Sequence, residues 1–172
     1  MAGLQGKGVN ADGLTGADMG VIRSDKRPVK DVDYGFVGDV KEVRADVLVQ
    51  LIRQGIVPVM APLTYDGAGG LLNTNADTIA GETAKALSEA FDVTLMYCFE
   101  KTGVLRDEND DDSVIPVITP DLFRQYVDEG VIQGGMIPKL ENSFSAVEAG
   151  VIQVIITSAS AIDGKSGTII KK

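Results

Sequence analysis

The stretch DVTLMYCFEKTGVL, Asp92–Leu105, decides the fold class. Val93–Phe99 is a short run rich in β-branched, apolar and aromatic residues, which is the pattern of a strand. Glu100–Leu105 then turns polar around Gly103, so the strand empties into a loop. Upstream, Asn75–Phe91 carries Ile79, Ala80, Ala84, Leu87 and Phe91 at helical spacing. Further back, Ile56–Pro62 reads as an apolar strand. It follows a helix over Val43–Gln54 that presents Val43, Val47 and Leu51 on one face and stops at Gly55. Downstream, Thr119 caps a helix with Pro120 at its first position and a stripe of Leu122, Phe123, Tyr126 and Val127. Another helix runs from near Gly135 to Ala149 through Met136, Leu140, Phe144 and Val147. Val151–Thr157 is a second apolar strand, and Thr168–Ile170 closes the chain. Strands alternating with helices predict an α/β fold with a largely parallel sheet.

The beginning reads differently. MAGLQGKG has no helix start and reads as the last turn of a helix, with Gly8 as its cap. Val9–Gly16 is a strand running into the Gly13–Gly16 turn. Met19–Arg23 and Phe36–Val43 form an antiparallel excursion at the sheet edge, and Asp66–Gly70 is a turn.

Composition narrows the function. The chain has 172 residues, 44% hydrophobic, a formal net charge of −9 at pH 7 and a pI near 4.4. This length suits one domain. An acidic surface argues against nucleic acid as a partner. No apolar run approaches the roughly 20 residues of a membrane span, so no membrane partner is expected. Histidine is absent, which removes histidine bases and histidine metal ligands from this chain. One cysteine, Cys98, rules out an internal disulfide; it reads as buried packing, and cytoplasmic residence is expected.

Three segments can carry chemistry. In LLNTNAD, Leu71–Asp77, an extended segment enters a helix. Asn73 and Asn75 point the same way, and Asp77 falls in the first turn, where its charge suits the dipole. Capping by Asn75 explains the same residues equally simply. In QGGMIPK, Gln133–Lys139, two glycines precede a helix whose start offers N–H groups and a lysine to phosphate; a solvated lysine after a glycine turn is the alternative. It is not a Walker A loop. In FEKTGVLRDENDDD, Phe99–Asp112, the strand ends in a polar loop with Gly103 that could hold a nucleotide at the sheet's carboxyl edge; its acidic run Asp107–Asp112 fails the EF-hand pattern, and a solvated loop is the preferred reading. GLTGAD, Gly13–Asp18, lacks the dinucleotide pattern and is a weak signal alone.

Taken in order, GLTGAD, NTNAD, the strand with its glycine loop and GGMIPK resemble the amino-acid kinase family, on its acetylglutamate kinase branch. The similarity covers nearly the whole chain. It implies a three-layer αβα sandwich around a mostly parallel sheet, the carbamate kinase-like fold. Residues 1–172 would form a single partial domain, with about 1–75 ending the substrate part and about 76–172 forming the nucleotide part. The implied activity is ATP-dependent phosphorylation of the side-chain carboxylate of an N-acyl-L-glutamate, acetyl or succinyl, in arginine biosynthesis. ATP with Mg2+ would be the co-substrate, and a homodimer the assembly. By the same resemblance Asn73 and Asn75 bind substrate, and Asp77 and Lys139 are catalytic. The nucleotide would be lined by Glu100, Lys101, Thr102, Gly103, Val104, Leu105, Val131, Ile132, Gln133, Gly134, Gly135 and Met136. The family's early K-x-G-G and G-G-G segments do not occur in these residues. The expectation is therefore of a chain lacking the first third of the usual length, inactive alone and prone to self-association. A non-catalytic nucleotide- or amino-acid-binding module, or a different substrate within the family, would be the alternatives.

Overall fold

Local signals in the chain set where its elements stop. In the computed structural model, which describes residues 1–172, helix α1 (Ala2–Gln5) winds down to Gly8 at φ 76°. The Gly8 N–H donates to the Gln5 carbonyl and the Val9 N–H to the Leu4 carbonyl, at 2.9 and 3.0 Å. This pair of bonds satisfies the carbonyls left over at a helix end, and it needs a left-handed residue that glycine adopts without steric cost. Helix α2 (Ala45–Arg53) ends the same way at Gly55, φ 75°. There Gly55 donates to Ile52 and Ile56 to Leu51.

The chain forms two compact units, Met1–Ala90 and Phe91–Lys172. In the first, β1 (Ala11–Leu14) pairs in parallel with β4 (Val57–Met60). A four-stranded sheet has the order β3 (Gly38–Val43), β2 (Ile22–Lys26), β5 (Leu63–Tyr65), β6 (Leu71–Asn73). Strands β2 and β3 are antiparallel, as the excursion predicted. Strands β5 and β6 form a hairpin over the Asp66–Gly70 turn, where the Asp66 carboxylate accepts the N–H groups of Ala68 and Gly70. Val21, Ile22, Leu48 and Ile79 are buried together, with Val40, Val43, Val47, Met60 and Leu87 against them. Ile79 and Leu87 belong to α3 (Ala76–Leu87). The two units divide after Ala90, and α3 stays with the first because its apolar face completes that unit's core.

In the second unit the sheet order is β7 (Thr94–Phe99), β9 (Gln153–Ser158), β10 (Thr168–Ile170), β8 (Val117–Ile118). Strands β7 and β9 run parallel over six paired positions, β9 and β10 antiparallel, and β10 and β8 parallel. In β9, Val154, Ile155 and Ile156 are all buried. A strand interior on both faces loses the polar alternation of a half-buried one, and each such side chain contributes roughly 1.5–3 kcal/mol. Helix α4 (Pro120–Asp128) starts on Thr119, whose hydroxyl accepts the Leu122 N–H. Helix α5 (Met136–Glu148) buries Leu140, Ala146 and Val147. Strands β5 and β8 have three and two residues, too short to show a period in sequence. No helix is long and apolar enough to cross a membrane.

Candidate functional site

Strand β7 delivers the chain to a cavity of about 1300 Å3 in the second unit. Its wall takes Cys98 and Phe99 from the strand end, Glu100, Lys101 and residues 103–109 from the following loop, and Gly130 and Val131 after α4. Gln133, Gly134, Met136 and Lys139 from the start of α5, with Ile156 of β9, complete it. A crevice at the carboxyl end of a parallel strand is where α/β sheets bind ligands. The volume is somewhat above the roughly 300–1,000 Å3 of a small-ligand pocket and leaves room for a nucleotide.

Buried polar bonds fix the loop's shape. The Thr168 hydroxyl, on β10 and fully buried, accepts the Val104 N–H at 2.8 Å and donates to the Ile115 carbonyl at 2.7 Å. Ile115 N–H returns to the Val104 carbonyl at 2.8 Å. Gly103 lies so close that an added Cβ would stand 2.8 Å from both the Thr168 hydroxyl and a Val114 methyl. The acidic tip folds on itself. Asp107 and Asp110 accept the N–H groups of Asn109 and Asp112, while Ser113 accepts the Asp107 N–H and donates to backbone carbonyls. No three of its carboxylates converge as a metal-holding group.

Three cationic side chains face the cavity, and two are already engaged. Lys101 pairs with Asp111 at 2.6 Å, which raises its pKa. Arg106 donates to the Tyr126 hydroxyl at 2.9 Å and lies over the same ring. The Lys139 ammonium lies 3.6 Å from the Phe99 ring centroid and carries no carboxylate partner. The helix start offers fewer N–H groups than the sequence implied. Met136 and Ile137 donate to the Gln133 and Gly134 carbonyls, at 3.2 and 3.3 Å, and Pro138 has none to give. What α5 presents is therefore the lysine, with the N–H groups of Gly134 and Gly135 just before it.

The structure gathers nine of the twelve expected nucleotide residues on this wall, together with Lys139. Ile132 is instead core, 2% exposed, with its N–H bonded to the Tyr126 carbonyl. Thr102 points into solvent, and Gly135 serves as the α5 N-cap outside the lining. Cys98 is corrected as well: it is exposed, because β7 is the sheet's edge strand and Cys98 lies on the face opposite buried Tyr97. Phe99 and loop residues 106–109, inside the Phe99–Asp112 segment but outside the expected nucleotide set, also line the wall. Their signal was continuity, since a wall formed by residues 103–105 had to extend along the same loop.

In the first unit, positions 71–75 alternate exposed and buried, so Asn73 and Asn75 share the outer face while Leu72 and Thr74 point inward. Thr74 bonds the Thr64 hydroxyl at 3.1 Å and the Gly38 carbonyl at 3.3 Å, which anchors the segment. Asn75 does cap α3: its side-chain oxygen accepts the Thr78 N–H at 3.1 Å. Its amide N–H groups stay available beside the exposed Asn73. Asp77 is half-buried in the first turn of α3. In the GLTGAD turn the Asp18 carboxylate accepts both the N–H and the hydroxyl of Thr15, and these bonds lower its pKa. That turn is satisfied internally.

Comparison with known proteins adds a lineage to this geometry. The model of the amino acid kinase family matches residues 1–158. The acetylglutamate kinase of Phocaeicola vulgatus is 78% identical over all 172 residues, which cover 67% of that protein. The chain thus spans about two thirds of the length of such relatives. Among solved structures, the smu.665 protein of Streptococcus mutans UA159 superposes with a TM-score of 0.79 at 32% identity, over 99% of this chain and 64% of that one. Carbamate kinase from Giardia lamblia bound to AMP-PNP gives 0.67 at 18% identity, over 99% and 65%, a likeness of fold.

Proposed function

Because the chain belongs to the amino acid kinase family, on the branch of the acetylglutamate kinases, we propose that its second unit binds MgATP in the cavity beside β7. In the same reading, the first unit supplies substrate contacts for an N-acyl-L-glutamate, acetyl or succinyl. The family and branch are those of a phosphotransferase with a carboxyl group as acceptor. The γ-phosphate would pass to the side-chain carboxylate and give an acyl phosphate.

Phosphoryl transfer asks a protein for positioning and charge neutralisation more than for covalent work. A glutamate side chain is ionised at neutral pH, so the nucleophile needs no base, and a chain without histidine is suited to the task. Lys139 is assigned to charge on the transferring phosphoryl group. Asp77 is assigned to organising catalytic cations, and Asn73 and Asn75 to the acyl-glutamate. Mg2+ arrives as part of the nucleotide substrate. The cytoplasm, where ATP and amino-acid precursors are present, is the expected setting.

The observation that carries this reading is the unneutralised Lys139 ammonium on the wall of a nucleotide-sized cavity. Titration calorimetry with MgADP on the 172-residue chain tests it. Saturable one-site binding is expected, and no heat at millimolar MgADP would sink the nucleotide assignment. A coupled turnover assay on the same chain is expected to show little activity, because the K-x-G-G and G-G-G segments of the family are not among these residues.

A further inference from the structure

Phe99 is the part of the cavity wall to which this chemistry gives no role. It ends β7 half-buried and is stacked on Tyr97, with centroids 6.1 Å apart and ring planes 17° from parallel. The Lys139 ammonium lies over its face at 3.6 Å. Of the cations on this wall, Lys101 is neutralised by Asp111 and Arg106 is bound to Tyr126. Lys139 alone is held by a ring with neither an ion pair nor a hydrogen bond of its ammonium. A ring quadrupole attracts an ammonium without cancelling its charge. A carboxylate there would hold the group and neutralise it; water alone would leave a four-carbon stem free to wander. The ring engages one side of the ammonium and leaves its other N–H donors open.

We propose that Phe99 is the positioning residue for Lys139, its ring holding the ammonium on the cavity wall with its charge intact for the terminal phosphate of a nucleoside triphosphate. This inference rests on the reading of Lys139 given above, and it predicts an aromatic requirement at position 99 that packing alone would not impose.

Calorimetry on the 172-residue chain with MgADP and with the Mg complex of the β,γ-imido analogue of ATP separates the two ideas. The wild-type chain is expected to bind the triphosphate analogue more tightly, and Lys139→Ala to erase that preference. Phe99→Leu should cut the preference, taken as the ratio of the two affinities within that variant, by about 3- to 10-fold, the scale of a partly desolvated cation–π contact. Phe99→Tyr should restore it. Full preference in Phe99→Leu alongside its loss in Lys139→Ala would overturn the role of Phe99 and leave Lys139 standing. Unchanged preference in Lys139→Ala, or no binding by the wild-type chain, would overturn both. A second measurement needs no ligand. After reductive 13C-methylation, the Lys139 methyl resonance should be shifted upfield by the ring. It should return to the ordinary position in Phe99→Leu, whose thermal unfolding serves as the folding control. An unshifted wild-type resonance would also overturn the proposal.

Discussion

Cys98 and Asn75 show how one side chain reports on a site. Cys98 is the sole cysteine and is exposed on the cavity wall, so its alkylation by iodoacetamide, followed by mass spectrometry, reads that wall without ambiguity. Saturating MgADP should slow the reaction at least several-fold. Equal rates with and without nucleotide would place the nucleotide elsewhere. Asn75 combines a cap with an assigned substrate contact. Its side-chain oxygen satisfies the Thr78 N–H, so Asn75→Ala should cost about 1 kcal/mol in urea unfolding, and Asn75→Asp should keep most of that. Asn73 is exposed, and its backbone joins the fold, its N–H donating to the Phe36 carbonyl at 2.7 Å, while no bond of its side chain is recorded. Asn73→Ala should therefore stay within about 0.5 kcal/mol of wild type. The two substitutions distinguish an asparagine that holds the fold from one left free to serve a ligand. Equal destabilisation by both would contradict that division.

At the level of elements, the segments legible in the sequence were those whose own residues specify them. Thr119–Pro120 and Asn75 announce helix starts, and Gly55 announces a stop, because a cap is chemistry within a few residues. Strands β7 and β9 were legible because their composition is strand-like along their whole length. What escaped was set by distant partners. The two residues of β8 count as a strand only through β10, which follows some fifty residues later. The resemblance puts Ile132 on the wall, but it is core, with its N–H bonded to the Tyr126 carbonyl. Thr168 is the fullest case: nothing local marks it, yet it ties Val104 to Ile115 across separations of 64 and 53 residues. Thr168→Val keeps the shape and removes both bonds, leaving a buried N–H without a partner, a change that costs about 1–3 kcal/mol. The loop should loosen, with faster hydrogen exchange at residues 103–105 and weaker MgADP binding, and Thr168→Ser should largely restore both. Exchange at those amides equal to wild type in Thr168→Val would show that the loop holds its shape without the hydroxyl.

For the molecule as a whole, acid should act first on its turns. Hydrogen bonds from Ser166 and Lys165 backbone and from the Ser166 hydroxyl hold the Asp163 carboxyl at about 2, against an ordinary 3.8. Asp66 and Asp18 are lowered by backbone donors, and Asp39 first by Arg27. A carboxyl whose folded value is depressed contributes stability that is fully present above its unfolded value and is lost as pH falls through the folded one. Stability should hold down to about pH 4 and decline toward pH 2, while protonation of the carboxylates leaves the 16 Lys and Arg charges unopposed. A thermal midpoint flat across that window would contradict the carboxylate assignments. The division into two units makes a sharper demand. Every residue on the cavity wall, and each bond that shapes its loop, lies within Phe91–Lys172, as does the buried strand β9 with helices α4 and α5 against its sheet. Expressed alone, residues 91–172 should unfold cooperatively and bind MgADP within about threefold of the 172-residue chain, since a segment of this size can bury a core of its own. Cooperative unfolding with binding lost would mean that the first unit contributes contacts to the nucleotide. Loss of cooperative unfolding would mean that the second unit depends on the first for its stability.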